Sequence, residues 1–442
     1  MRQLSTFILT LALAQTAAAD DWPQWMGPAR DAVWAETGVV ERLPPEGPKV
    51  LWRKEVGGGY AGPAVAGGKV YLADYVKSAG DDTPNPIKRN ELEGRERVVC
   101  FDAADGNVLW TQAYDCPYTI SYPAGPRCTP TMHHGKVYTL GAMGNLLCLD
   151  AQKGTVLWSK DFTMDYGVKA PLWGFCGHPL IDGQQLFAIV GGEGTAAVAF
   201  DKDTGEELWR SLSSKETGYS APALIEAGGV RQLLIWHGEA LNALNPETGE
   251  LYWTFPLAPR MGMAIMVPRV DGEYLFAGAV YGTAVGLKLA SDKPAVSLAW
   301  RGPANMKDSG LFPMNMTPFA EGGVVYGVDQ PGQFRAMKID TGERLWESWL
   351  PVTGESESRP VYTGTAFVVK NGGRFFLFNE KGELVIAKLS PAGYEEVSRW
   401  KALEPTSSAF GRDVVWSHPA FANRSMYARN DKELVCVSLA AE

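Results

Sequence analysis

Aromatic rings, cations and imidazoles recur in the segments that separate the hydrophobic runs of this 442-residue sequence: Tyr60, Arg127, Trp173, Tyr219, Arg412 and Trp416, with His178 and His418 each directly ahead of a proline. Indole and phenol faces beside guanidinium groups hold flat or anionic molecules by stacking, cation–π attraction and charge. Quinone carboxylates or acidic sugars are ligands of that kind. Several of these positions also have a purely structural reading. Tyr60 and Tyr219 occupy matching stretches, Gly59-Tyr60-Ala61-Gly62-Pro63 and Gly218-Tyr219-Ser220-Ala221-Pro222, as a repeated backbone corner would, and the two histidines can cap strand ends.

Sulfur offers further chemistry. Cys116, Cys128 and Cys176 fall in connecting segments. A Cys116–Cys128 disulfide would close a short loop for roughly 3 kcal/mol, a Cys128–Cys176 disulfide would staple neighbouring units, and one thiol would remain over. Cys100, Cys148 and Cys436 stand in strand-like runs where related copies have alanine, and read as buried small side chains. Met261, Met263, Met266, Met306, Met314 and Met316 cluster in sequence. Thioethers can hold copper(I), but such a group more often makes an adaptable apolar surface, and no metal site is expected. No Gly-x-Ser-x-Gly elbow, phosphate-binding glycine loop or His-Glu-x-x-His motif occurs, which removes the residues that carry those hydrolase, nucleotide and zinc chemistries.

The chain opens with Arg2, an apolar run from Phe7 to Ala14, and Ala17-Ala18-Ala19 ahead of Asp20. This is the form of a secretory signal peptide over residues 1–19. Its apolar core is too short to anchor in a bilayer, and the first cysteine, Cys100, comes too late to accept a lipid. The expectation is an exported protein, periplasmic or extracellular, monomeric, with no transmembrane segment and no lipid anchor. A formal net charge of -9 repels nucleic acid phosphates, and the partner expected is a protein or a carbohydrate.

A repeat positions these residues. An eleven-residue pattern runs from Cys100 to Trp110, Cys148 to Trp158, Ala199 to Trp209, Ala243 to Trp253 and Ala336 to Trp346, with Gly106, Gly154, Gly205, Gly249 and Gly342 four residues before the tryptophan. Ala290 to Trp300 is a degraded copy without the glycine. Each copy reads as strand, tight turn, strand, and a proline-opened strand pair precedes it, as from Pro130 to Leu140 and Pro179 to Ile189. In the seventh repeat the first strand is instead placed at Ala366 to Lys370. Four strands per repeat and a tryptophan period of about 44 to 58 residues match a propeller blade.

Trp110, Trp158, Trp209, Trp253, Trp300, Trp346 and Trp400 close seven blades, and the strand carrying Trp52 joins three strands after Pro419 to make the eighth. The predicted fold is all-β: an eight-bladed β-propeller of four-stranded antiparallel blades over residues 49–442, closed by one N-terminal and three C-terminal strands, behind an N-terminal extension of residues 20–48. The tryptophans wedge between blades. In such a ring the blade-to-blade connections gather on one face around the channel, which brings the aromatic and cationic residues of the opening paragraph together. Residues 76–97, polar and charged, insert into the first blade and read as a long irregular loop over that face, a candidate lid.

The pattern Ala-x-Asp-x-x-Thr-Gly-x-x-x-Trp, clearest from Ala199 to Trp209, resembles the pyrroloquinoline quinone (PQQ) repeat, found in quinoprotein dehydrogenases and in BamB-like assembly factors. Asp21 to Asp31 is similar to the start of secreted PQQ-repeat propellers of environmental bacteria. The resemblance spans nearly all of the chain after residue 19 and implies the propeller; it fits catalysts and scaffolds alike. Its dehydrogenase branch implies PQQ with calcium, here stacked on Trp173 or Trp416. The sequence departs from that branch in having no adjacent cysteine pair, and from BamB in lacking a lipidation cysteine. The leading expectation is a binding or scaffold module, and the alternative is a PQQ-dependent alcohol or sugar oxidoreductase.

Overall fold

The computed structural model describes residues 20–303 and 309–441. The expected signal peptide and the loop residues Met306, Lys307 and Asp308 lie outside them. Eight antiparallel sheets of four strands make the ring, the first carrying an additional short strand, Tyr118–Ile120. The eighth joins Val50–Glu55 to Glu433–Ser438, Ser425–Arg429 and Ala420–Ala422, so the two ends of the chain hydrogen-bond to each other and no sheet edge is left open at the seam. Ala366–Asn371 is the first strand of blade seven, as placed from the sequence. Among the described residues no helix is long and apolar enough to cross a membrane.

The tryptophan pattern has a contact at each of its marked positions. The small residue that opens a copy lies across the ladder from its tryptophan: Cys100 opposite Trp110, Cys148 opposite Trp158, Ala199 opposite Trp209 and, in the closing blade, Cys436 opposite Trp52. The indole N–H then crosses to the next blade. Trp52 donates to the Ala103 carbonyl at 3.0 Å, Trp110 to Ala151 at 3.1 Å, Trp158 to Lys202 at 2.9 Å and Trp209 to Pro246 at 3.0 Å, the same position of each following copy. The glycines face the neighbouring blade. A Cβ on Gly106 would lie 2.8 Å from the Trp52 ring, and one on Gly205 would lie 2.8 Å from Trp158. Each glycine seats the indole of the blade before it.

Where the copy degrades, the contact changes. Trp300 pairs with Gly286 rather than Ala290, because the blade-five hairpin is longer, and Trp253 donates to the Gln232 side chain at 2.7 Å instead of to a backbone carbonyl.

One segment differs from the sequence reading. Residues 76–97 are not an irregular loop: Lys69–Gly80 and Asn90–Asp102 continue the two middle strands of blade one as a long hairpin. The charged residues there alternate with inward ones, Leu92, Gly94 and Glu96, and burial of that face overrides the polar composition. Glu96 accepts hydrogen bonds from the Tyr118 hydroxyl at 2.6 Å, the Tyr114 hydroxyl and the Ala142 N–H at 2.8 Å, which ties the hairpin to blade two.

The N-terminal extension is a structural part of the ring. Trp22 exchanges backbone hydrogen bonds with Val65 of blade one, Met132 of blade two donates to Pro23, Lys370 of blade seven bonds both Ala32 and Trp34, and Val40 donates to Leu439 of blade eight. Arg30 reaches the Pro179 carbonyl at 2.9 Å, and Arg269 of blade five donates to the Arg30 carbonyl at 3.2 Å. The extension thus crosses the inner edges of the blades, with Trp22, Met26 and Trp34 buried.

Candidate functional site

Where the extension crosses the channel it makes a floor, and above the floor lies a well of about 1110 Å3, counted out to open solvent. Trp25 is the floor tile. Its ring lies on His178 with centroids 4.7 Å apart and planes 10° apart, and meets His418 edge-on at 5.9 Å. The Arg30 guanidinium sits 5.5 Å from the centre of the same indole. Higher up, the wall is aromatic: Trp173 packs edge-on to Tyr219 at 5.4 Å, and Trp416 edge-on to Tyr122 at 5.8 Å. Met263, Met314 and Met316 line the side formed by the approaches to blades five and six. The short hairpin Ser407–Ala409 and Arg412–Val414 carries half-exposed Phe410 at its tip, at the mouth of the well.

The structure brings Tyr60, Arg127, Trp173, His178, Tyr219, Trp416 and His418 to this one cavity. Arg412 is the exception. It lies behind Trp416, paired with buried Glu380 at 2.7 and 3.1 Å, and Glu380 also takes the Trp416 indole N–H at 3.2 Å. Arg412 therefore fixes Trp416. Arg127 reaches the well but is committed: it donates to the carbonyls of Trp173 at 2.8 Å, Ser121 at 2.9 Å, Tyr122 at 2.6 Å and Gly125, with its guanidinium 5.2 Å from the Tyr60 ring centre. An arginine whose fork is filled by backbone carbonyls holds loops together rather than waiting for an anion.

Both histidines are neutral at neutral pH. Burial, with Arg30 and His418 nearby, holds the His178 imidazole well below 6.5, and burial alone brings His418 to about 3. His178 Nδ1 accepts the Thr129 N–H at 3.0 Å, which leaves the ring proton on Nε2. Among the described residues neither nitrogen of His418 has a partner, and the Asn315 amide nitrogen, Thr129 hydroxyl and Tyr122 hydroxyl are likewise buried without one. These four residues and His178 all line the well.

The six cysteines are free, so neither disulfide weighed from the sequence is formed here. Cys128 points its thiol at the Phe175 carbonyl at 3.8 Å and Cys116 at the Asn145 side chain at 3.8 Å. Cys176, on the well wall, is pushed up to about 11 by burial, and a thiol in that state is a poor nucleophile. Among the described residues no three of His, Cys, Asp or Glu converge as a metal site.

Sequence reasoning missed Trp25, Tyr122, Thr129, Asn315 and Phe410. Trp22, Trp25 and Trp34 stand close together outside the repeat, and that density of indole was a signal that the extension must be buried. Nothing comparable marks the other four.

The family model of the outer membrane protein assembly factor BamB matches residues 36–117, 94–235 and 237–441. No curated protein matches the chain in sequence. Among solved structures, BamB from Moraxella catarrhalis is 16% identical with a TM-score of 0.52, covering 82% of this chain and 99% of that one. A quinohemoprotein alcohol dehydrogenase from Pseudomonas putida HK5 is 13% identical with a TM-score of 0.58, covering 96% of this chain and 80% of that one. At such identities the likeness is one of fold.

Proposed function

Because the chain belongs to the BamB family of PQQ-repeat β-propellers, we propose that it is a binding module, exported by its signal peptide, that presents its loop face to a protein or carbohydrate partner and captures a projecting group in the axial well. The observation that carries this is the form of the well: aromatic walls and a tryptophan floor enclose a space in which, among the described residues, no carboxylate and no uncommitted cation appears. Acid–base hydrolysis needs a titratable pair set to donate and accept. Among the described residues the well has two neutral imidazoles and no acid lining it.

A PQQ-dependent oxidoreductase would need the same residues to hold the quinone and its calcium. Calcium takes six to eight oxygen ligands, largely carboxylate and carbonyl, and no Asp or Glu lines the well among the described residues. The quinone's carboxylates call for cations, and Arg127 is already filled. The donor set among the described residues does not fit that pair.

The test is capture from an envelope extract on the immobilised full chain, protein and polysaccharide fractions analysed separately, against a Trp173→Ala/Trp416→Ala variant. A retained partner that the variant loses supports the reading. A partner held equally by both proteins removes the well from the function, and tight binding of PQQ with calcium at micromolar concentration would return the oxidoreductase.

A further inference from the structure

Resting on the binding-module reading, we infer that the ligand of the axial well is an uncharged sugar ring. Several polar groups in the well are still unspent. Among the described residues the His418 imidazole, the Asn315 amide nitrogen, the Thr129 hydroxyl and the Tyr122 hydroxyl have no hydrogen-bond partner, and His178, with Nδ1 engaged by Thr129, has its Nε2–H uncommitted. None of these groups is an acid, and the imidazoles are neutral. By contrast the cations near the well, Arg30, Arg127 and Arg412, all donate to carbonyls or to Glu380.

A ligand answers to what is unspent. Among the described residues an anion would find no free cation lining the well, whereas the neutral His418 imidazole offers one donor and one acceptor and His178 one donor, which hydroxyl groups, themselves donors and acceptors, complete. Buried polar groups left unmatched cost free energy, so a purely apolar occupant is disfavoured.

Placement narrows the class further. The unspent groups come from the approaches to blades two, three, six and eight, and so surround the axis, while indole and phenol faces fill the space between them. Turning the His418 ring over about its terminal torsion exchanges its buried nitrogens with ring carbons, an adjustment of one side chain. The matching molecule carries hydroxyl groups around its whole perimeter and apolar C–H faces above and below. A pyranose ring has that form, and stacks on aromatic faces through the same apolar contact that aromatic pairs use. A single serine, asparagine or lysine side chain of a protein would satisfy one group and leave the others.

The test is calorimetric titration of the full chain with four neutral tetrasaccharides, those of β-linked glucose, mannose, galactose and N-acetylglucosamine, and with a glucuronate oligomer, each to roughly 10 mM, which detects millimolar affinity. At least one neutral sugar is expected to bind, with the uronate weaker by tenfold or more. His418→Phe and Asn315→Leu are each expected to weaken that sugar about tenfold, the loss of one hydrogen bond, while melting as cooperatively as the parent. Binding unchanged in both variants, uronate binding as tight as the neutral sugar, or no binding to any of the five overturns the inference. Loss of an envelope partner in the Trp173→Ala/Trp416→Ala protein would still stand in the last case, so the failure of the sugar and the failure of the binding module are separable.

Discussion

Trp25 lies flat on His178, centroids 4.7 Å apart and planes 10° from parallel, and this contact joins a segment outside the repeat to the ring of blades at the base of the well. The indole is buried, and it shields one face of an imidazole that burial keeps neutral. Trp25→Ala is expected to cost about 3–5 kcal/mol of stability, read by denaturant unfolding, and to move the His178 titration upward toward 6.5 as water reaches the ring, read by NMR. An unmoved His178 would mean that the indole is not what dries it.

The two histidines steepen the acid limb, in the same direction as His133 and His237, which burial also lowers. Their folded values lie below 6.5 and the unfolded value is near it, so between the two the unfolded chain binds more protons. Their contribution is complete above about pH 6.5 and is lost as pH falls, at about 1.4 kcal/mol per pH unit for each histidine, down to about 3 for His418. Glu96, raised by burial, opposes this trend at the acid end. Comparing the parent with His418→Phe between about pH 6 and pH 5 isolates one term, and the variant should lose stability less steeply with acid. Equal slopes would show that His418 titrates normally in the fold.

At neutral pH the same variant should be more stable than the parent. His418 buries two nitrogens without partners against the Phe367 ring at 4.1 Å, and a phenyl ring of similar size removes that desolvation cost. The expected gain is about 1 kcal/mol in denaturant unfolding. A loss of that size would show that the imidazole is satisfied in the fold and is not held ready for a ligand.

Blade seams give a cleaner structural test. Gly205 has φ +75° and a Cβ there would meet the Trp158 ring at 2.8 Å, whereas Gly183 has φ +55° and open space. Gly205→Ala is expected to cost roughly 1–3 kcal/mol more than Gly183→Ala, since both share the backbone strain and only one adds a clash. Equal costs in thermal and denaturant unfolding would remove the clash from the account.

The ring of blades was legible because its marks are local: a glycine and a small residue at fixed distances from a tryptophan need only one hairpin to be recognised. Which indole Gly106 or Gly205 seats was not legible, since the contact runs between blades and the period is silent on neighbours. The gathering of Tyr60, Trp173, Tyr219 and Trp416 followed from the ring itself. The roles of Arg127 and Arg412 did not, because their partners, the Trp173 carbonyl and Glu380, are distant in sequence. The strands within residues 76–97 were hidden by charge, where every second side chain, Leu92 and Glu96 among them, turns inward.

Methyl spectra of the methionines test the central claim most directly, because Met263, Met314 and Met316 line the well while exposed Met164 does not. With methyl-labelled protein titrated against the neutral tetrasaccharides, the account predicts shifts at those three methyls and none at Met164. Saturable binding that leaves all three unshifted, or that moves Met164 alone, would contradict it.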